Sequence, residues 1–281
     1  MKKNKKIILV SGATSLVGSF IINKLKNNFH IITIGRKDFK GYQNIYYDID
    51  KFYLDFKKLK KIQKKNKIFA FINLAYSRNF QTVEDSINFN AKLLKALIKL
   101  INRPCRIINI STISANINSI YGNTKKEIEY LISKEHGYNI RCGLIYTNNK
   151  LGGILGKITS FSNFFKIIVL PNFARTNVQY LTSIYQLVKI IFSILNRQKE
   201  NRSANKNLIV SDIKALNIQE ILLKFNAKPI LLFYVNNHLF IWILKIINLI
   251  PFVNFISEDS LIGLRDSKQN FNSYDQTHPK K

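Results

Sequence analysis

The chain has 281 residues, enough for one large α/β domain or for a domain with a small appendage. Its 46% apolar content is that of a globular protein and excludes a disordered chain, and two lone cysteines exclude a disulfide framework and suggest a reducing compartment such as the cytoplasm. The net charge of +28 invites nucleic acid as a partner, but Lys and Arg are scattered among Asn, Ile and Phe with no recognition-helix or zinc-finger pattern, so none is expected.

Met1–Lys6 is basic, but Ile7–Val10 is too short for the apolar core of a secretory signal, and none is expected. Lys6–Val10 reads instead as a buried parallel strand, because it is a continuous apolar run that ends at a glycine turn. A helix follows, with Leu16, Phe20, Ile21 and Leu25 at helical spacing. His30–Gly35 is a second strand and "NIYYDID" a third. "DFKKLKKIQKK" is a surface helix, Lys67–Tyr76 a fourth strand and Val83–Ile101 a long helix. After Pro104 come a fifth strand, Cys105–Ser111, a helix over Tyr121–Glu135, and a sixth strand, "YNIRCGLIY". Strands and helices that alternate in this way predict a Rossmann-type doubly wound α/β sheet, parallel and with right-handed crossovers. Residues 1–150 form that domain in this reading. Residues 151–281 form a smaller substrate-binding lobe, interleaved with the last sheet elements.

Ligands of such sheets lie beyond the carboxyl ends of the strands. The first such end is "SGATSLVG". Gly12 suits the tight turn and Gly18 suits close packing of helix on strand, with the helix N-terminus facing a pyrophosphate. Ser15 stands where a dinucleotide fingerprint has its middle glycine, and its hydroxyl could itself donate to a phosphate. No Gly-Lys-Ser/Thr follows, so the turn is not a P-loop. The second strand ends in Arg36 and Lys37 rather than in the acid that bonds the ribose of NAD, which favours NADP. Asp48, after the third strand, is a plausible partner for the adenine amino group.

Tyr121 and Lys125 lie one helical turn apart on a shared face, where the lysine charge would draw the phenol towards proton exchange at working pH. Spacing alone says little in this chain. Tyr47, Tyr53, Tyr130, Tyr146 and Tyr185 also have a lysine four residues on. Only Tyr121 opens a helix directly after a strand end rich in hydroxyls, "NISTIS".

These pieces resemble the extended short-chain dehydrogenase/reductases, specifically their NAD-dependent epimerase/dehydratase group, over roughly residues 6–190. "SGATSLVG" resembles that family's T-G-A-T-G-F-I-G turn, and "FINLAY" resembles its H-L-A-A strand end. "FNAKLLKAL" is similar to its helix N-V-x-G-T-x-N-L-L, and "ISTIS" to its S-S or S-T strand end. "YGNTKKEIE" resembles Y-G-x-S-K-x-x-x-E, "IRCGLIYT" resembles R-P-G-x-V-Y-G, and "VQYLTSIYQLVKII" is similar to the later V-x-V-x-D-L-A segment. The resemblance implies NAD or NADP as cofactor and a nucleotide-linked sugar as substrate. It implies that Tyr121 is the acid/base, that Lys125 tunes it and holds the nicotinamide ribose, and that Thr112 binds the reacting oxygen, with Ser111 and Ser114 as rivals. It also implies that Gly12, Thr14, Ser15, Leu16, Val17 and Gly18 face the pyrophosphate and that Asp48 and Ile49 flank the adenine. Leu74, Ala75 and Asn90 would line the cofactor, and Cys142 and Ile145 would lie by the nicotinamide. The chain departs from the pattern at Ser15, at Cys142 for proline, at Thr147 for glycine and at Ser183 for an acid. Only eight residues separate Thr112 from Tyr121, which is short for the family.

The family's dehydratases carry Asp-Glu after the strand-end threonine, whereas Ile113 and Ser114 follow Thr112, so the expectation is epimerisation or reduction. A non-catalytic NADP-binding sensor or scaffold of the same fold is the alternative. Residues 230–256 are strongly apolar but broken by Asn236, Asn237, His238, Lys245, Asn248 and Pro251, too often for a span. They read as a core or interface helix, as in a homodimer, or as a peripheral membrane contact suited to a lipid-linked sugar. His238 has no companion at ligand spacing, and no metal site is expected.

Overall fold

The apolar runs of the first half become the strands of one sheet. The computed structural model describes residues 5–101, 104–148, 150–197, 207–212, 214–225, 231–248, 262 and 265. Within them β1 (Ile7–Ser11), β2 (His30–Ile34), β3 (Gln43–Ile45), β4 (Ile68–Asn73), β5 (Arg106–Thr112), β6 (Tyr138–Cys142) and β7 (Asn207–Val210) form a seven-stranded sheet in the order β7-β6-β5-β4-β1-β2-β3. Every pairing in it is parallel. The order reverses between β1 and β4, the switch point at which such sheets open a crevice for a ligand.

Alternation along the strands divides the core into two layers. Ile8, Val10, Ile72, Ile108 and Ile140 face α1 (Leu16–Leu25) and α6 (Ile184–Asn196). Leu9, Ile34, Phe71 and Ile107 face α2 (Phe56–Lys65), α3 (Val83–Leu100) and α4 (Ile120–Lys134). Residues after 150 therefore serve two units. α6 and β7 complete the sheet, whereas α5 (Gly153–Phe165), α7 (Ile218–Lys224) and α8 (Asn237–Asn248) surround a separate apolar cluster built on Leu155, Leu170, Leu181 and Ile221.

Two expected strands are shorter than their apolar runs. The third leaves the sheet after Ile45, and Tyr47–Asp48 pairs instead with Tyr53–Leu54. The sixth breaks at Gly143, and Leu144–Tyr146 pairs with Leu181–Ser183. A Cβ at Gly143 would stand 2.1 Å from the Tyr180 carbonyl oxygen, so only glycine lets the chain cross to its new partner.

A polar row runs through the sheet on the side of α3 and α4. Asn73, Asn109, Asn139 and Asn207 occupy paired positions on four neighbouring strands. The Ser11 hydroxyl donates to Asn73, Asn73 to Asn109, Asn109 to Asn139 and Asn139 to Asn207, at 2.9–3.0 Å. Beside it Arg141 and Glu129 form a two-pronged buried pair, at 2.9 and 2.5 Å, that ties β6 to α4.

Candidate active site

The turn after β1 is built for close approach. Gly12 has φ +69, where an L side chain is strained, and a Cβ there would also meet the Leu74 carbonyl carbon at 3.0 Å. A Cβ at Gly18 would stand 2.2 Å from the Gly12 oxygen. Ser15 is the N-cap of α1. Its hydroxyl donates to the Gly12 carbonyl at 2.8 Å and accepts from the Gly18 N–H at 3.0 Å. The single hydroxyl proton is thus used within the turn, and the expected donation from Ser15 to a phosphate is not available in this arrangement. The open groups at the helix start are the N–H groups of Leu16 and Val17, the usual donors to an anion.

Gly12–Ser15 form one wall of a cleft of about 480 Å³. Gly35, Arg36 and Lys37 form a second wall, and Ile49, Asp50 and Leu74–Ser77 close it. The expected Thr14, Arg36, Ile49, Leu74 and Ala75 therefore meet in one place. The cleft's size, its glycine cradle and the helix N-terminus fit a nicotinamide dinucleotide, with the adenosine end between Lys37, Ile49 and Leu74.

Asp48 does not line this cleft. It is buried, and its carboxylate accepts from the Asp50 N–H at 3.1 Å and from the Tyr46 hydroxyl at 3.2 Å. The acid at the cleft is Asp50. It pairs with Arg36 at 2.8 Å, accepts from Asn79 at 2.9 Å and also accepts from the Ser77 hydroxyl. Asn90 does not reach the cleft either. Its side chain accepts from the Ser77 N–H at 2.8 Å and donates to the Ser77 oxygen at 3.1 Å, so it braces the wall from behind.

Tyr121 and Lys125 rise from the first turns of α4, whose N-cap is Ser119. Gly122 makes that start possible, since a Cβ there would stand 2.1 Å from the Ile117 oxygen and 2.7 Å from the Ser114 oxygen. The short segment between β5 and α4 thus packs directly under the helix. The Thr112 hydroxyl and the Arg78 guanidinium lie near enough to the Tyr121 phenol to favour its anion, and the guanidinium carbon stands 5.1 Å from the centre of the ring. Ser111, next along the strand, points to the opposite face, and its hydroxyl is buried with no hydrogen-bond partner. Thr112, not Ser111, is therefore the hydroxyl brought to the phenol. The Lys125 ammonium is buried, donates to the Ile110 carbonyl at 3.3 Å and lies 5.7 Å from the Tyr121 ring centre.

Burial pushes the Tyr121 phenol above its ordinary value, while the Arg78 charge and the bonds from Arg78 and Thr112 pull it back. Burial, assisted by the Arg78 charge, lowers Lys125 to about 8, against the pull of Glu129. Cys142 is buried beside Lys125, and burial raises its thiol to about 12, so it stands neutral at the site. Ile145 is half-buried and packs with the layer under α6.

Arg78, Tyr76 and Asp50 were not legible as site residues. The signal that could have found the first two is position, because both follow the end of β4, beside the switch point.

No protein-family model matches the sequence, and no curated protein matches it either. Solved structures do match in fold. UDP-N-acetylglucosamine 4-epimerase from Bacillus cereus superposes with a TM-score of 0.61 at 19% identity, over 82% of this chain and 85% of that one. The chain shares the fold of this enzyme. UDP-glucuronic acid 4-epimerase from Bacillus cereus, in complex with NAD, shares this fold at a TM-score of 0.65 and 17% identity, over 82% and 87% of the two chains. So does dTDP-glucose 4,6-dehydratase from Bacillus anthracis in complex with NAD, at 0.63 and 14%, over 83% and 85%.

Proposed function

We propose that this chain is a member of the extended short-chain dehydrogenase/reductases and acts as an NAD(P)-dependent epimerase or reductase on a nucleotide-linked sugar. The observation that carries the reading is the meeting of Thr112, Tyr121 and Lys125 beside the cleft at the switch point. A bound nicotinamide would supply a hydride acceptor and donor. Leu16 and Val17 would hold the pyrophosphate through their N–H groups, and Lys125 would hold the nicotinamide ribose. Thr112 would orient the sugar oxygen towards Tyr121. The phenol would take the hydroxyl proton as the carbon is oxidised and return one as the carbonyl is reduced. An epimerase completes both halves on one sugar, whereas a reductase completes only the second.

Epimerisation stands slightly ahead, since both UDP-sugar neighbours described above are 4-epimerases. Ile113 and Ser114 offer no carboxylate for an elimination, which argues against the dehydratase chemistry of the third neighbour. The cofactor is NAD or NADP. Arg36 and Lys37 favour the 2′-phosphate, and Asp50 offsets the first of them. A cytoplasmic setting agrees with the cysteine usage. A homodimer and a peripheral membrane contact through residues 230–256 remain part of the proposal. Among the described residues no helix is long and apolar enough to cross a membrane.

Incubation with UDP-glucose, UDP-N-acetylglucosamine and UDP-glucuronic acid, each with NAD or NADPH, followed by NMR of the sugar, tests the reading. Tyr121→Phe should lower kcat by about 10²–10⁴-fold while cofactor affinity survives. Turnover undiminished in that variant sinks the assignment. Tight cofactor binding by the unaltered protein with no turnover of any of these sugars would favour the non-catalytic sensor instead.

A further inference from the structure

The loop that leaves β4 has two sides. Ser77 and Asn79 turn towards Asp50, and Asn90 holds the Ser77 backbone at both its N–H and its carbonyl. Arg78, between them, is directed the other way. Its guanidinium carbon lies 5.1 Å from the centre of the Tyr121 ring, close enough for its charge to favour the phenolate. Tyr76 meets the same ring edge-on, with centroids 4.9 Å apart. The backbone on both sides of Arg78 is thus tied down while its charge is aimed at one oxygen. Among the described residues no carboxylate lies within ion-pair distance of Arg78.

We propose that Arg78 is a positioning residue for proton transfer at Tyr121: its guanidinium, held over the ring by the braced loop, stabilises the phenolate together with Lys125. The claim rests on the acid/base reading of Tyr121.

The surroundings of the phenol agree with a site made to hold an anion. Thr112 from β5 and Arg78 from the loop lie beside it, Lys125 lies one turn along α4, and Cys142 closes from β6. The thiol is neutral at working pH. Around Lys125 stand Arg78, Cys142, Tyr76 and Glu129, and Glu129 is already spoken for by Arg141. Two cations, Arg78 and Lys125, therefore stand beside one phenol. Lys125 is buried, whereas Arg78 is exposed.

Removal of the Arg78 charge should move both titrations upward. The phenol loses a stabiliser of its anion, and Lys125 loses a repelling neighbour. NMR of protein labelled at the tyrosine ζ carbon reads the phenol without substrate or cofactor, and Tyr121→Phe identifies the resonance. Arg78→Gln should raise the Tyr121 midpoint by about one pH unit, and Arg78→Lys should restore most of that shift. The pH profile of kcat/KM with UDP-glucose should move in the same direction. An unmoved midpoint in Arg78→Gln, or a midpoint equally displaced in Arg78→Lys, overturns the proposal. Turnover retained by Tyr121→Phe would overturn the acid/base reading instead, and the NMR titration would still decide what Arg78 does.

Discussion

At the scale of single residues the site is governed by where short side chains spend their hydrogen bonds. Ser15 occupies the place of a glycine without blocking the turn, because an N-cap serine folds its hydroxyl back onto Gly12 and Gly18. Asp48 shows the opposite outcome. A carboxylate that takes the N–H two residues on makes an Asx-turn, and that turn carries Asp50, not Asp48, to the cleft. Spacing from a strand end cannot reveal which of two acids a local turn will use up. The Arg36–Asp50 pair is exposed on its arginine side, so it stabilises the fold by no more than about 1 kcal/mol. In the proposed function its weight lies in cofactor choice. Asp50→Asn should release Arg36 and remove a repelling charge, raising NADP affinity relative to NAD by roughly three- to tenfold at low salt. Calorimetric titration with both dinucleotides measures the ratio, and an unchanged ratio would place Asp50 outside the ribose site.

At the scale of elements the strands were legible because buried parallel strands are continuous apolar runs. Their ends were less so. The break at Gly143 depends on Leu181–Ser183, a neighbour distant in sequence, whereas the departure after Ile45 is a local hairpin between Tyr47–Asp48 and Tyr53–Leu54. The asparagine row belongs here too. Each Asn reads as a polar interruption in its own strand, and only pairing at matched register gives it a partner. Asn109→Leu would leave the Asn73 amide and the Asn139 carbonyl unsatisfied, each at about 1–3 kcal/mol. A loss of roughly 2–5 kcal/mol in urea unfolding is expected. A loss below about 1 kcal/mol would mean that the row adds little to the sheet.

At the scale of the whole molecule the charge of +28 meets an apolar surface on the C-terminal lobe. Ile167–Pro171 and Leu231–Val235 form a parallel pair, and Ile167, Leu231 and Phe233 share its outer face and are exposed. Leu239 and Trp242 of α8 are exposed as well. The apolar stretch from residue 230 is therefore a strand, Leu231–Val235, followed by a helix, Asn237–Asn248, and its remainder from 249 to 256 lies outside the described residues. If this lobe meets a membrane, the protein should float with anionic vesicles at low salt and be released as salt rises. Retention at the bottom of the gradient at low salt, or flotation indifferent to lipid charge, would count against the contact.

The sequence alone determined the layered α/β sheet, the glycine turn and the Tyr121–Lys125 pair, because each depends on local periodicity or on spacing within a single element. The proposal of Tyr121 among six Tyr/Lys pairs rests on the order of neighbouring elements. Tertiary structure decided the rest. It chose Thr112 over Ser111, Asp50 over Asp48, and brought Arg78 to the phenol. These outcomes turn on the face to which a strand end points and on the path of a loop. The strand face and the Asx-turn are local but undirected until the sheet fixes which side is the cleft, and the Arg78 contact joins segments distant in sequence.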